Sequence, residues 1–280
     1  MGEAPDFLAT KRIAVVTGGN RGIGLEICRQ LASKVVVVIL AARDERKGVE
    51  APNVLKECGL SNYVIFHQLD VTDPSTIAKL KDFIYHKFGK LDILPADPFL
   101  YGIMNMATQT YDLAEECIKT NYYGAKRMIQ ELLPLLQLSD SPRVVNMSSI
   151  GGKLEFIPNE WAAGLLSDAE NLTEDKVDEV LSAFLKDFKE GLLEIKNWPQ
   201  IMSAIALSNA ATNAYTRILA KKYPNFLINC VYLGYVRTEA TFSCGTSSVE
   251  EGAESPVWLA LLPEGGPSGN FFDRKEVSPF

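Results

Sequence analysis

The stretch IAVVTGGNRGIGLEICRQLA, residues 13–32, leaves the chain few folding options. A short β-branched run meets a glycine cluster, and an apolar stripe through Ile23, Ile27 and Leu31 follows at helical spacing. The pattern predicts a buried strand, a tight turn and a helix packing back on a sheet. Within T-G-G-N-R-G-I-G at 17–24, Gly18 permits the turn, Gly22 lets the backbone approach a pyrophosphate, and Gly24 allows close helix packing. Asn20, Arg21 and Ile23 fill the rest of the turn, and the amides of the first helical turn face the anion.

The same alternation continues along the chain. Strands are expected at 35–42 (VVVVILAA), 63–66 (YVIF), 91–94 (LDIL), 143–147 (RVVNM) and 227–231 (LINCV), with a last one near 269–273. The second is continuously apolar, as parallel strands are when helices cover both faces. A helix opens at Thr72, Asp73 and Pro74, one long helix covers 111–136, another precedes 227, and 256–262 forms a short one. The expectation is an α/β fold, a single Rossmann-like, doubly wound, mostly parallel sheet formed by 1–280 as one domain. Residues 152–200 interrupt the rhythm. Val177, Val180, Leu181, Phe184, Leu185 and Phe188 mark a helical insertion covering one edge of a site or sheet, flanked by loops carrying Trp161 and Trp198 as core aromatics.

A net charge of -7 gives no support to a nucleic-acid partner. Five cysteines lack metal-ligand spacing, and an odd count leaves at least one outside any intrachain disulfide. His67 and His86 are too few and too far apart to suggest a metal site. The segment 1–10 carries Glu3 and Asp6 and no long apolar run, and VVVVIL at 35–40 is too short to cross a bilayer. Cytoplasm with reduced thiols, and no membrane contact, is the resulting expectation.

Taken with LDVTD at 69–73, NYYG at 121–124, RVVNMSS at 143–149, NAYTRILAKKYP at 213–224, GYVRT at 234–238 and GGPSGNFFDRKEVSPF at the end, the glycine turn resembles the short-chain dehydrogenase/reductase family. The likeness is to its plant group of salutaridine reductase and neomenthol dehydrogenase. It implies a nicotinamide dinucleotide and hydride transfer between that cofactor and a small hydrophobic carbonyl or alcohol.

No acid closes the second strand, and Arg43 stands there instead. With Arg21 it would neutralise a 2'-phosphate, favouring NADP(H) over NAD(H), although either arginine alone is also an ordinary surface charge. The resemblance places Asp70 and Val71 beside the adenine, and Val236 and Thr238 at the nicotinamide, Thr238 holding its carboxamide. It puts Ser149 at the family's substrate-oxygen serine and Asn121 at its water-ordering asparagine. The family's tyrosine and lysine positions fall on Ile205 and Asn209, so Asn209 is left as a ribose contact without charge. Tyr122 and Lys126 share the four-residue spacing, but they lie on the asparagine-bearing helix.

Two further departures stand out. PADPF at 95–99 replaces a valine and an Asn-Asn-Ala-Gly turn, with Pro95 and Pro98 removing two amide donors. Leu233 replaces the proline before Gly234. Two functions follow: an NADP(H)-dependent oxidoreductase, or a catalytically impaired dinucleotide-binding pseudoenzyme. The insertion favours a monomer over the dimers and tetramers of shorter relatives.

Overall fold

The computed structural model describes residues 11–56, 58–96 and 109–280. Strands β1 (Ile13–Thr17), β2 (Val37–Ala42), β3 (Val64–Gln68), β4 (Ile93–Ala96), β5 (Arg143–Ser148), β6 (Leu227–Tyr232), β7 (Phe271–Asp273) and β8 (Glu276–Ser278) form one sheet. Their order is β3-β2-β1-β4-β5-β6-β7-β8. Every pairing is parallel except β7 with β8. The order reverses between β1 and β4, the switch point at which open α/β sheets open a crevice beyond the strand ends.

Both faces are covered, which explains the continuous apolar strands. Ala14, Val16, Val38 and Leu40 point toward helices α1 (Gly22–Ser33), α2 (Glu45–Lys56) and, last in the chain, α9 (Val249–Ala260). Ile13, Val15, Val37 and Ile39 point the other way. There α3 (Pro74–Phe88), α4 (Tyr111–Asn121), α5 (Tyr123–Leu136) and α8 (Ser203–Lys222) supply the core. Alternate side chains of one strand thus serve two cores. At the far end, Arg143 donates two hydrogen bonds to the Leu262 carbonyl, at 3.1 and 2.8 Å, and Arg12 donates one to Ala260 at 3.1 Å. Two guanidiniums therefore satisfy carbonyls at the negative end of α9.

The insertion contributes α6 (Glu160–Ser167) and α7 (Glu174–Lys189). Helix α7 packs on α4 and α8, and α6 packs on α7 and α8. Phe184 meets the buried Trp198 edge-on at 5.4 Å, and the Trp198 indole donates to Asp187 at 2.8 Å. Trp161 lies inside α6, not in a loop, and is half exposed, while Ala162 and Leu166 are the buried residues of that helix.

Four other expectations need correction. The segment 111–136 is two helices meeting at Tyr122; its N–H still bonds to Ile118, so the chain bends without stopping. The helix expected at 256–262 begins at Val249, where Ser248 and Glu251 form a reciprocal capping box. Helix α2 and strand β8 were not expected, since Pro52 interrupts the first pattern and the second is only three residues long. Pro95 sits within β4, opposite Val145, and β4 meets β1 at a single register position, Ala14 with Ile93. A proline without an amide hydrogen shortens such a ladder. Residues 97–99 of PADPF lie outside the described residues. Among the described residues, no helix is long and apolar enough to cross a membrane.

Candidate active site

The glycine turn is built as a close-packed cradle at the end of β1. Gly18 and Gly22 have φ of 66° and 53°, a region that favours glycine. A β-carbon on Gly24 would stand 2.4 Å from the Gly18 carbonyl oxygen, so only glycine brings α1 this close to the turn. The Gly19 amide donates to Ala41 at 3.1 Å, tying the turn to β2. Arg21 is the extended residue before α1, so the free amides of the first helical turn begin at Gly22. A β-carbon on Gly22 would find only the Thr238 methyl, at 3.9 Å, so the two segments face each other across a narrow gap. Asn20 and Ile23 are half-buried in the same turn.

The remaining sequence-predicted cofactor contacts follow β2, β3 and β6 in the chain. Arg43 is exposed directly after β2 and makes no ion pair among the described residues. Arg21 is exposed too, but its guanidinium pairs with Glu239 at 2.5 Å, a partner that sequence reasoning missed. Asp70, after β3, accepts from the Thr72 amide at 2.8 Å and the Thr72 hydroxyl at 2.7 Å, which fixes its carboxylate in a turn. The carbonyl of Val71 accepts from Arg127 at 2.7 Å, while its side chain packs over Gly124. Buried Val236 accepts the Thr241 hydroxyl at 2.6 Å, and Thr238 shares a capping box with Thr241.

A second cluster lies where α8 crosses the end of β5. Gly152 makes the crossing possible, since a β-carbon there would stand 2.6 Å from that of Asn209. Asn213 donates to the Gly152 carbonyl at 3.1 Å, and Asn146 of β5 donates to Thr216 at 2.9 Å. The Asn209 amide donates to the Ser149 hydroxyl at 3.1 Å and to the Ile205 carbonyl at 2.9 Å. The same carbonyl accepts from Ser208 at 3.0 Å, and Asn121 donates to Ser208 at 3.3 Å. Asn121 and Ser149 are thus ends of one polar chain running through α8. Ser208 and Cys117, which Asn121 also meets at 3.4 Å, complete it. Burial pushes the Cys117 thiol up to about 11, so it stays neutral.

Chemically, the Ser149 oxygen accepts from Asn209 and retains its own hydrogen to donate outward. Ile205, almost buried one helical turn before Asn209, contributes no proton. The Oδ1 of buried Asn121 has no hydrogen-bond partner among the described residues, an acceptor suited to an ordered water. Ile150, Phe156, Trp161 and Ile201 expose apolar side chains from the segments that follow Ser149 and precede α8.

Tyr122 and Lys126 belong elsewhere. The Lys126 ammonium is held by Asp178 at 2.9 Å and Glu174 at 3.2 Å. Burial first, then the charge of Asp178, push the Tyr122 phenol above its ordinary value, the reverse of what a proton donor paired with a cation needs. Its hydroxyl makes no hydrogen bond of normal geometry among the described residues. Tyr122→Phe is accordingly expected to leave dinucleotide affinity unchanged and stability within about 1 kcal/mol, since it removes a buried hydroxyl without orphaning a partner. Thermal unfolding with a parallel dinucleotide titration checks this; a severe loss of binding would put Tyr122 in the site.

Residues 12–160 match the family described as short chain dehydrogenase. The chain is 53% identical over 292 residues to (+)-neomenthol dehydrogenase of Arabidopsis thaliana, covering 97% of this chain and 99% of that one. It is 52% identical over 301 residues to Short-chain dehydrogenase/reductase 1 of Saponaria officinalis, covering 100% of each. Among solved structures, salutaridine reductase from Papaver somniferum superposes with a TM-score of 0.90 at 46% identity, covering 94% of this chain and 100% of that one.

Proposed function

The chain belongs to the short chain dehydrogenase family, and from that membership we propose that it is an NADP(H)-dependent oxidoreductase acting on a small hydrophobic carbonyl compound or alcohol. The observation that carries this reading is the joining of Ser149 and Asn121 through α8, in a chain whose glycine turn is closely packed at the end of β1. The names of relatives agree with it: (+)-neomenthol dehydrogenase and salutaridine reductase.

The residues present fit such a dinucleotide. Gly24 closes the cradle, the first-turn amides and Gly22 would take the pyrophosphate, and Arg43 and Arg21 would neutralise the 2'-phosphate. Asp70 and Val71 would hold the adenine end, and Val236 and Thr238 the nicotinamide end. When bound, the cofactor supplies or accepts the hydride. Ser149, held by Asn209, would donate a hydrogen bond to the substrate oxygen, and the proton would come from a solvent water, which leaves as hydroxide. The exposed apolar side chains of Ile150 and Phe156, which follow Ser149 in the chain, suit a hydrophobic substrate.

A second reading, a dinucleotide-binding pseudoenzyme, is favoured by Ile205 and Asn209 themselves. Lack of the general acid costs about 10²- to 10⁴-fold in rate. The test is NADPH oxidation over a panel of hydrophobic ketones and aldehydes; rates no higher than those of denatured protein sink the catalytic reading.

Ser149, Asn209 and Asn121 do not titrate, and the Cys117 thiol is raised to about 11. Turnover at saturating substrates is therefore expected to stay flat from about pH 6 to 9, a range in which an acid-base side chain would bend the profile. An inflection inside that range would reveal a proton donor outside the polar chain.

A further inference from the structure

We propose that Glu239 is a built-in counter-ion that competes with the 2'-phosphate of the dinucleotide for Arg21, and so sets the margin by which the phosphorylated cofactor is preferred. The inference rests on the cofactor reading above. Arg21 stands at the start of α1 and Glu239 directly after Thr238, so the 2.5 Å pair bridges the two segments that face each other across the cradle. The Glu239 carboxylate is not carried on a loose loop. The Thr238 amide donates to the Thr241 hydroxyl at 3.0 Å, and that hydroxyl donates to the Val236 carbonyl at 2.6 Å, fixing the turn from which Glu239 projects.

Carboxylate and phosphate are alternative partners for one guanidinium, and the phosphate carries more charge and more acceptor oxygens. The two arginines therefore differ. Arg43 makes no ion pair among the described residues, whereas Arg21 must exchange one anion for another. The Arg21 and Glu239 side chains are 60% and 82% exposed, which makes the exchange inexpensive and reversible. A dinucleotide without the 2'-phosphate lacks the group for which Arg21 exchanges its partner, the pyrophosphate being common to both cofactors. Glu239 thus weakens binding of NADP(H) specifically, and its removal widens the preference.

The experiment is an equilibrium titration of the full chain, Glu239→Gln, Arg21→Ala and the double variant. NADPH, NADH and adenosine 2',5'-bisphosphate are the probes, the last reporting on the phosphate contact without nicotinamide. Glu239→Gln is expected to tighten NADPH and the bisphosphate about two- to fivefold, the range of a released exposed ion pair. NADH affinity stays unchanged, the gain shrinks as salt is raised, and Glu239→Gln adds nothing once Arg21 is alanine. Equal tightening of NADH, no change, or weaker NADPH binding overturns the counter-ion role while leaving the cofactor reading standing. Absence of saturable binding by every form overturns both.

Discussion

Replacing Ile205 by tyrosine together with Asn209 by lysine is expected to raise the turnover of carbonyl reduction by about 10²- to 10⁴-fold, the usual contribution of general acid catalysis. The two positions lie one helical turn apart on α8, and Asn209 already touches Ser149, so a phenol at 205 and an ammonium at 209 would enter the polar chain that exists. Neither substitution alone should recover much. A tyrosine without the lysine keeps a phenol pKa near about 10 and transfers its proton reluctantly. A lysine without the tyrosine has no acid to tune. The gain is thus a coupling between neighbours, far larger than the sum of the single effects. Steady-state NADPH oxidation on all four forms measures it. A double variant that binds NADPH saturably and still turns over like the natural chain would place the defect in the substrate pocket.

Gly24→Ala should cost more than tenfold in dinucleotide affinity and about 1–3 kcal/mol in stability, the penalty typical of overpacking. The added methyl meets the Gly18 carbonyl oxygen at 2.4 Å and carbon at 2.8 Å, and both are backbone atoms that cannot swing aside as a side chain would. Relief requires opening the turn, which moves the amides proposed to take the pyrophosphate. Gly164→Ala is the matched control. It lies in α6 with nothing within 4 Å of the added carbon, so it should stabilise by about 0.5–1 kcal/mol through helix propensity. Urea unfolding and NADPH titration of both variants check the pair; equal behaviour would show that the cradle has room to spare.

The features legible in the sequence were those that backbone geometry dictates. The turn at 17–24 could be read because each glycine answers a separate steric demand, and the structure shows two positive φ values and one backbone contact of that kind. The parallel sheet was legible because Val37, Val38, Ile39 and Leu40 send alternate side chains into two cores. Elements that rest on local exchange of hydrogen bonds were harder to see. The capping box of Ser248 and Glu251 was present in the sequence and moves the start of α9 to Val249, but the proline at 256 drew the boundary forward.

In the candidate site, Ser149 and Asn121 were proposed from their family positions, while the hydrogen-bonded connection between them was not legible, because it passes through a main-chain carbonyl. The Ile205 carbonyl collects both Ser208 and Asn209, and no side-chain pattern announces that. Glu239 escaped for a related reason. It is 218 positions from Arg21 in sequence, and only the approach of the two segments makes them partners.

Calorimetric titration of the natural, well-folded chain with NADPH and NADH tests the cofactor assignment most directly. Saturable NADPH binding is expected at lower concentration than NADH, with an advantage that falls as salt screens the two arginines. A flat NADPH isotherm, or equal affinity for the two dinucleotides, would contradict it.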